Sequence, residues 1–148
     1  MALSLLRRPS AELQHRADLF GYLTLFADCS RRELGQLAQV AEIFRVGIDD
    51  EVVHEGGDGD AFWVLAEGLA HVTQGGDKIG SIQPGAGFGE LALLDGGRRT
   101  ASVRAVLPGR VVRFEPDAFA ERLLTCRPAA ARLLTDADRR RRLLAVSA

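Results

Sequence analysis

The chain has 148 residues, a length typical of one domain that buries a sizeable core. Hydrophobic residues make up 47% and charged residues 26%, as in folded soluble proteins, and no apolar run approaches the ~18 residues that a membrane span needs. Basic and acidic residues number 19 and 20, so the bulk charge favours neither nucleic acid nor an anionic membrane as a partner.

Glycine usage divides the chain into three zones. Residues 1–46 hold only two of the sixteen glycines, and their patterns predict a helix near residues 10–19 and a second one after Ser30, which forms a capping box with Glu33. Short β-rich runs separated by glycine turns follow and indicate a sandwich, jelly roll or small barrel. Beyond residue 114 there is no glycine, and Pro116 and Pro128 stand where helices can begin. The predicted order is helices, a β-roll and helices again.

The two cysteines, Cys29 and Cys126, are far apart in the sequence and form no CxxC pattern. This usage predicts two reduced thiols, with neither a disulfide framework nor a zinc site. The N-terminal apolar stretch is too short for a signal peptide, and its arginines follow that stretch instead of preceding it. We therefore expect a cytoplasmic protein that holds no metal and no cofactor.

Enzymatic chemistry has little support in the motifs. The segment GAGFGE lacks the GxGxxG spacing of dinucleotide-binding folds, and no P-loop or GxSxG motif occurs. A metal-dependent β-roll enzyme needs clustered histidines, whereas His15, His54 and His71 are isolated in the sequence. The sequence therefore predicts a protein that is not an enzyme.

The stretch from Phe88 to Val103, FGELALLDGGRRTASV, carries the strongest functional signal. It predicts a short helix whose N-terminus, preceded by closely spaced glycines, favours an anion. Arg99 follows a Gly-Gly turn and can contact two phosphate oxygens at once, while Glu90 is an acceptor that suits a sugar hydroxyl. A ligand that carries phosphate and ribose on one edge can bind both Arg99 and Glu90. The alternative is that Glu90 complements the helix dipole and that Arg98 and Arg99 are solvated turn residues.

The sequence FGELALLDGGRRTASVRA resembles the phosphate-binding cassette of the cyclic-nucleotide-binding domain family. In that cassette F-G-E-L-A-L precedes a variable turn and R-[AT]-A-[ST]-V, and Arg99 follows Glu90 by the family's spacing of nine. The resemblance covers roughly residues 26–144. It implies an α+β, mainly β fold, in which a helical segment (1–25) precedes a cyclic-nucleotide-binding domain (26–148). That domain would contain an eight-stranded, jelly-roll-like β-roll with the cassette at residues 85–103, followed by C-terminal helices at 116–147.

The resemblance also implies a role for each site residue. Arg99 would pair with the cyclic phosphate, and Glu90 would accept a hydrogen bond from the ribose 2′-hydroxyl. The C-terminal helix would close over the base from around residues 139–144. The implied ligand-binding residues are Gly89, Glu90, Leu91, Ala92, Arg99, Thr100 and Ala101, and the implied base wall is Val72, Ile79 and Leu144.

The choice of base depends on Thr100. The resemblance implies cAMP or cGMP as the ligand, and we favour cAMP. In the family a hydroxyl at this position can meet the 2-amino group of guanine, which keeps cGMP open. Strict strand alternation would point Thr100 away from Arg99, so that contact requires a local bulge.

The resemblance implies a stand-alone sensor that binds a cyclic nucleotide and relays a helix rearrangement to an unknown effector protein. We expect no nucleic-acid or membrane partner. The alternative is an interaction module that keeps the fold but does not depend on nucleotide. The apolar stripe of the last helix is broken by Arg140 and Arg141, which predicts a monomer or a weak dimer. The basic run DRRRRLL is either a solvated face or a docking point for an acidic partner.

Overall fold

The computed structural model describes residues 4–5 and 11–147, with side chains from residue 13 to residue 142. The helices are α1 (Ala11–Gly21), α2 (Arg31–Val40), α3 (Glu90–Asp95), α4 (Pro116–Ala118) and α5 (Arg127–Ser147). A 3-10 turn spans Thr24–Phe26, and a π-helical turn spans Phe119–Leu123. The strands are β1 (Ser4–Leu5), β2 (Ala41–Val46), β3 (Glu51–Val53), β4 (Phe62–Gln74), β5 (Asp77–Ile82), β6 (Gly87–Phe88) and β7 (Ser102–Phe114).

The strands of the described residues form one antiparallel sheet in the order β1-β2-β7-β4-β5. Strand β3 pairs with β7, and β6 pairs with β4. The two long central strands, β4 and β7, pair from Phe62 with Phe114 to Thr73 with Ser102, and their register shifts near Glu67. Helices precede and follow this β-roll, as the sequence predicts.

The described residues contain seven strands where eight were expected. The β-rich runs AFWVLAEG, from Phe62 onward, and AHVTQ, predicted as separate strands, belong to one 13-residue strand, β4. The runs RTASVRAV, from Ser102 onward, and RVVRF likewise belong to β7, which also has 13 residues. Gly68 lies at the register shift of β4 with φ 103°, beside the backbone of Pro108 and Gly109 in β7. These residues form bulges within paired strands, whereas the sequence pattern had indicated turns between strands.

The capping box begins α2 as predicted. The Ser30 hydroxyl accepts a hydrogen bond from the Glu33 N–H at 3.1 Å, and the Glu33 carboxylate accepts one from the Ser30 N–H at 2.8 Å. Helix α1 belongs to the same core as α2, because Phe20 is fully buried with Leu37 against the sheet. None of the described helices is long and apolar enough to cross a membrane.

Strand β4 divides its side chains between two hydrophobic cores. Phe62 and Val64 pack beneath the helices, whereas Trp63 and Leu65 point into the roll, as the two-residue period of a strand requires. Phe114, at the end of β7, joins the helical core with Phe62 at a ring-centroid distance of 6.2 Å. The core inside the roll includes Phe88 and Val103 of the cassette, and the core beneath the helices includes Ala129 and Leu133 of α5.

Candidate functional site

The cassette forms one side of a cavity of about 160 Å³ between β6, α3 and the beginning of β7. All seven predicted ligand-binding residues line it, together with the predicted wall residues Val72 and Ile79 from β4 and β5. The remaining predicted wall residue, Leu144, lies in α5 outside the residues whose side chains are described. Helix α5 nevertheless reaches the cavity, through Arg140.

The side chain of Arg99 is buried although it carries a charge, and its residue is only 6% exposed. Its Nη1 donates to the carbonyl oxygen of Gly89 at 2.6 Å, and its Nη2 donates to that of Ala61 at 2.6 Å. Within the described part of the chain its ion-pair partner is Asp60, an exposed carboxylate 3.9 Å away. Burial lowers the pKa of Arg99, and the carboxylates of Asp60 and Glu90 oppose that shift.

The backbone of Arg99 is fixed by a turn that comes from another part of the chain. Its N–H donates to the Gly57 carbonyl at 2.7 Å, and its carbonyl accepts from the Gly56 N–H at 2.8 Å. The neighbouring Arg98 is exposed. The interpretation of both arginines as solvated turn residues therefore holds for Arg98 and fails for Arg99.

Glu90 is the first residue of α3 and is 1% exposed. Both of its carboxylate oxygens accept hydrogen bonds from Nη1 of Arg140, at 2.6 and 2.7 Å. A buried carboxylate is stable only when it is paired and hydrogen-bonded, and Arg140 supplies both. Glu90 thus joins the cavity to the C-terminal helix.

A second, exposed ion pair runs beside the first. Nε of Arg141 donates to the carboxylate of Asp95, the last residue of α3, at 3.0 Å. The hydrogen bond from Arg141 lowers the pKa of Asp95. Consecutive arginines of α5 therefore contact both ends of α3.

Arg140 and Arg141 are partners of the cassette that the sequence pattern alone does not reveal. The run DRRRRLL predicts a solvated face or a docking point for an acidic partner, whereas two of its arginines pair with acidic residues of α3. A usable signal was present, because these arginines interrupt the apolar stripe of α5. A charge on the packed side of a helix needs an opposite charge facing it.

Thr100 and Ala101 lie between the glycine turn and the first residue of β7, Ser102. Because the two residues precede the strand, the alternation that would separate Thr100 from Arg99 does not apply to them. Both Thr100 and Arg99 line the cavity, and the Thr100 carbonyl accepts from Nε2 of Gln74 at 3.1 Å. No bulge within the strand is needed to bring them to the same site.

Gly89 has a left-handed backbone conformation and lies in close contact with Arg99. Its φ is 90°, and an added Cβ would lie 2.6 Å from Nη1 of Arg99 and 3.2 Å from the Ala61 carbonyl. We expect Gly89→Ala to lower the free energy of unfolding by more than the ~1–2 kcal/mol that a left-handed non-glycine residue costs. The matched control is Gly76→Ala, with φ 87° and nothing within 4 Å of the new Cβ. Equal losses in urea denaturation of the two variants would contradict the close packing of Arg99 on Gly89.

Comparison with known proteins assigns the fold and the family. The family profile described as "Cyclic nucleotide-binding domain" matches residues 43–126, more than half of the chain. The cAMP-dependent protein kinase regulatory subunit of Hypocrea atroviridis is 35% identical over 92 residues, which cover 62% of this chain and 20% of that relative. The chain therefore spans about a fifth of the length of this relative.

Two solved structures share the architecture. A cyclic nucleotide-binding domain from Methylobacillus flagellatus KT superposes with a TM-score of 0.76 and 25% identity, covering 96% of this chain and 85% of the other. The structure titled "cAMP bound PfPKA-R (141-441)" gives a TM-score of 0.82 at 23% identity, covering 91% and 47%, which shows the common fold. The chain belongs to the cyclic nucleotide-binding domain family.

Proposed function

We propose that this chain is a non-catalytic sensor that binds cAMP, with cGMP as the second candidate, and relays the state of α5 to an effector protein. The observation that carries the proposal is the environment of Arg99. The guanidinium is buried and faces a cavity, and its ion-pair partner among the described residues, Asp60, is exposed and 3.9 Å away, so its charge is only weakly compensated. A phosphate in the cavity would supply a closer anionic partner.

The donor geometry of Arg99 favours a phosphate that takes two hydrogen bonds. A guanidinium has five N–H donors, and two of them are taken by the carbonyls of Gly89 and Ala61. These carbonyls fix the plane of the group and leave other donors for a ligand. The first turn of α3, including Ala92, lines the same cavity, and the N–H groups in the first turn of a helix have no partner within the helix.

Glu90 is suited to the ribose of the same ligand. An ionised carboxylate offers about four acceptor positions, and Arg140 occupies one on each oxygen. A 2′-hydroxyl can therefore bind Glu90 beside Arg140, so that the ligand and the helix share one carboxylate. The apolar residues Val72 and Ile79 would then pack against the base, and Thr100 would lie at its edge.

The sharing of Glu90 provides a route for the signal. A ligand shifts a conformational equilibrium only through its different affinity for the two states. Because α3 carries the cavity residue Glu90 and also holds α5 through Arg140 and Arg141, filling the cavity changes the docking of α5. The kinase regulatory subunits among the relatives support a regulatory role of this kind.

The ligand assignment can be tested by a cycle that combines the substitution Glu90→Gln with the replacement of cAMP by 2′-deoxy-cAMP. In the wild type, replacing cAMP by 2′-deoxy-cAMP should lower the affinity about ten- to a hundredfold, because a hydrogen bond to a charged group contributes ~1.5–3 kcal/mol. In Glu90→Gln the same replacement should cost less than about tenfold, because a neutral hydrogen bond contributes ~0.5–1.5 kcal/mol. Titration calorimetry measures all four affinities.

The matched control for this cycle is Asp95→Asn. Asp95 is also an acidic residue of α3 paired with an arginine of α5, but it does not line the cavity. Asp95→Asn should leave the difference in affinity between cAMP and 2′-deoxy-cAMP unchanged. Absence of any thermal shift with cAMP, cGMP or AMP in the wild type would instead favour the interaction module that does not depend on nucleotide.

A further inference from the structure

Three side chains with metal-binding atoms meet outside the cavity, at the junction of α2 and α5. Cys29 lies just before the capping residue of α2, Glu33 lies in the first turn of that helix, and Cys126 immediately precedes α5. The two sulfur atoms are 3.4 Å apart although the residues are 97 positions apart in the sequence. Oε2 of Glu33 lies 3.4 Å from the sulfur of Cys126, and all three ligand atoms lie within 4.8 Å of one another.

These separations fit the edges of a tetrahedral zinc site. Zinc binds thiolate sulfur at about 2.3 Å and carboxylate oxygen at about 2.0–2.2 Å, so neighbouring ligands of a tetrahedron lie roughly 3.4–3.8 Å apart. The sulfur–sulfur edge of such a tetrahedron is about 3.8 Å and the sulfur–oxygen edge about 3.6 Å, so the observed separations of 3.4 Å are shorter by a few tenths of an ångström. Small side-chain movements would thus bring these three atoms around one ion.

The surroundings hold the three ligands in place. Oε1 of Glu33 accepts the capping hydrogen bond from the Ser30 N–H, which fixes the carboxylate and leaves Oε2 directed at Cys126. The Ser30 hydroxyl in turn accepts from the Glu33 N–H at 3.1 Å, which completes the capping box beside the two cysteines. Such contacts orient ligands and tune them in established metal sites.

We propose that Cys29, Glu33 and Cys126 form a zinc-binding site in which water is the fourth ligand. Cys126 is buried, whereas Cys29 and Glu33 are half-exposed, so the fourth position faces solvent. Binding replaces the two thiol protons, which pass to solvent, by one divalent ion. The ion would tie the beginning of α2 to the beginning of α5, where the C-terminal helix leaves the β-roll.

A disulfide is the competing chemistry for the two cysteines. Its formation requires a thiolate to attack and an oxidant such as a peroxide or a small disulfide to accept two electrons. A disulfide makes no use of Oε2 of Glu33, which lies 3.4 Å from the sulfur of Cys126, whereas a cation can take this oxygen as a ligand. The position of Glu33 therefore favours the metal.

The test is zinc titration of the reduced full chain against a chromogenic chelator. We expect one zinc per chain, a higher melting temperature with zinc, and loss of affinity by more than about a hundredfold in Cys29→Ser. Glu33→Gln keeps an oxygen for the capping bond and should lose roughly tenfold or more. Cobalt in place of zinc should give a sulfur-to-metal charge-transfer band that Cys29→Ser weakens.

The control is His54→Ala, which removes an exposed potential ligand paired with Glu51 and should leave zinc affinity unchanged. Because Cys126 is buried, Cys126→Ala is used only after its circular dichroism matches the wild type. Wild-type zinc affinity in Cys29→Ser would overturn the proposal. So would a Cys29–Cys126 disulfide in the isolated chain that takes up no zinc after reduction.

Discussion

Arg99→Ala should lower cAMP affinity by at least about a hundredfold. A charge-assisted hydrogen bond contributes ~1.5–3 kcal/mol, and a bidentate contact makes two of them. The environment of Arg99 strengthens this expectation, because a buried phosphate left without its guanidinium would be an unpaired charge. Titration calorimetry measures the loss directly.

Two further variants separate the geometry of Arg99 from its charge. Arg99→Lys keeps the positive charge but replaces the planar fork by a point donor, so it should recover only part of the lost affinity. Arg98→Ala removes the exposed neighbour and should change affinity less than about threefold. Wild-type affinity in Arg99→Ala, with the variant folded, would remove the basis of the proposed function.

The stability of Arg99→Ala depends on two opposing effects of the lost side chain. Loss of the side chain leaves the carbonyls of Ala61 and Gly89 without their donor, and a buried unsatisfied acceptor costs ~1–3 kcal/mol. The same change also removes a buried charge whose ion-pair partner Asp60 is exposed and 3.9 Å away, which offsets part of that cost. The net loss of stability in urea denaturation should therefore be smaller than the two carbonyl costs together.

The features that the sequence predicted well are local ones. Ser30 and Glu33 are three residues apart, so a capping box can be identified without knowledge of the rest of the fold. The cassette is also nearly local, because the turn between Glu90 and Arg99 brings them to one cavity. In both cases the chemistry of the residues and their spacing decide the structure.

The features that the sequence did not predict are contacts between distant segments. Glu90 and Arg140 are 50 positions apart, and Cys29 and Cys126 are 97 apart. The apolar stripe of α5 marks Arg140 and Arg141 as lying on its packed side, but it does not indicate which carboxylates they meet, because that depends on how the helix packs on the roll. The merging of strands around Gly68 has the same cause, since only the partner strand distinguishes a bulge from a turn.

Arg140→Ala should cause the largest loss of stability among the charged residues of α5. It removes the cation that is hydrogen-bonded to the buried carboxylate of Glu90, and removing one partner of a buried pair costs ~3–5 kcal/mol. The Arg140 side chain is 25% exposed, so we expect the lower end, about 3 kcal/mol. Arg141→Ala breaks the exposed pair with Asp95 and should cost clearly less, because solvent screens exposed ion pairs.

The double variant Arg140→Ala/Glu90→Gln provides the decisive comparison for this pair. It removes the unpaired charge together with its partner, so it should be more stable than Arg140→Ala alone. Urea denaturation of the wild type, both single variants and the double variant gives the coupling free energy. Hydrogen exchange should also show that Arg140→Ala exposes the amides of α5 more than Arg141→Ala does, because Glu90 holds the helix on the cassette. Additive effects of the two changes would mean that α5 is held by its apolar contacts, and the proposed relay through Glu90 would fail.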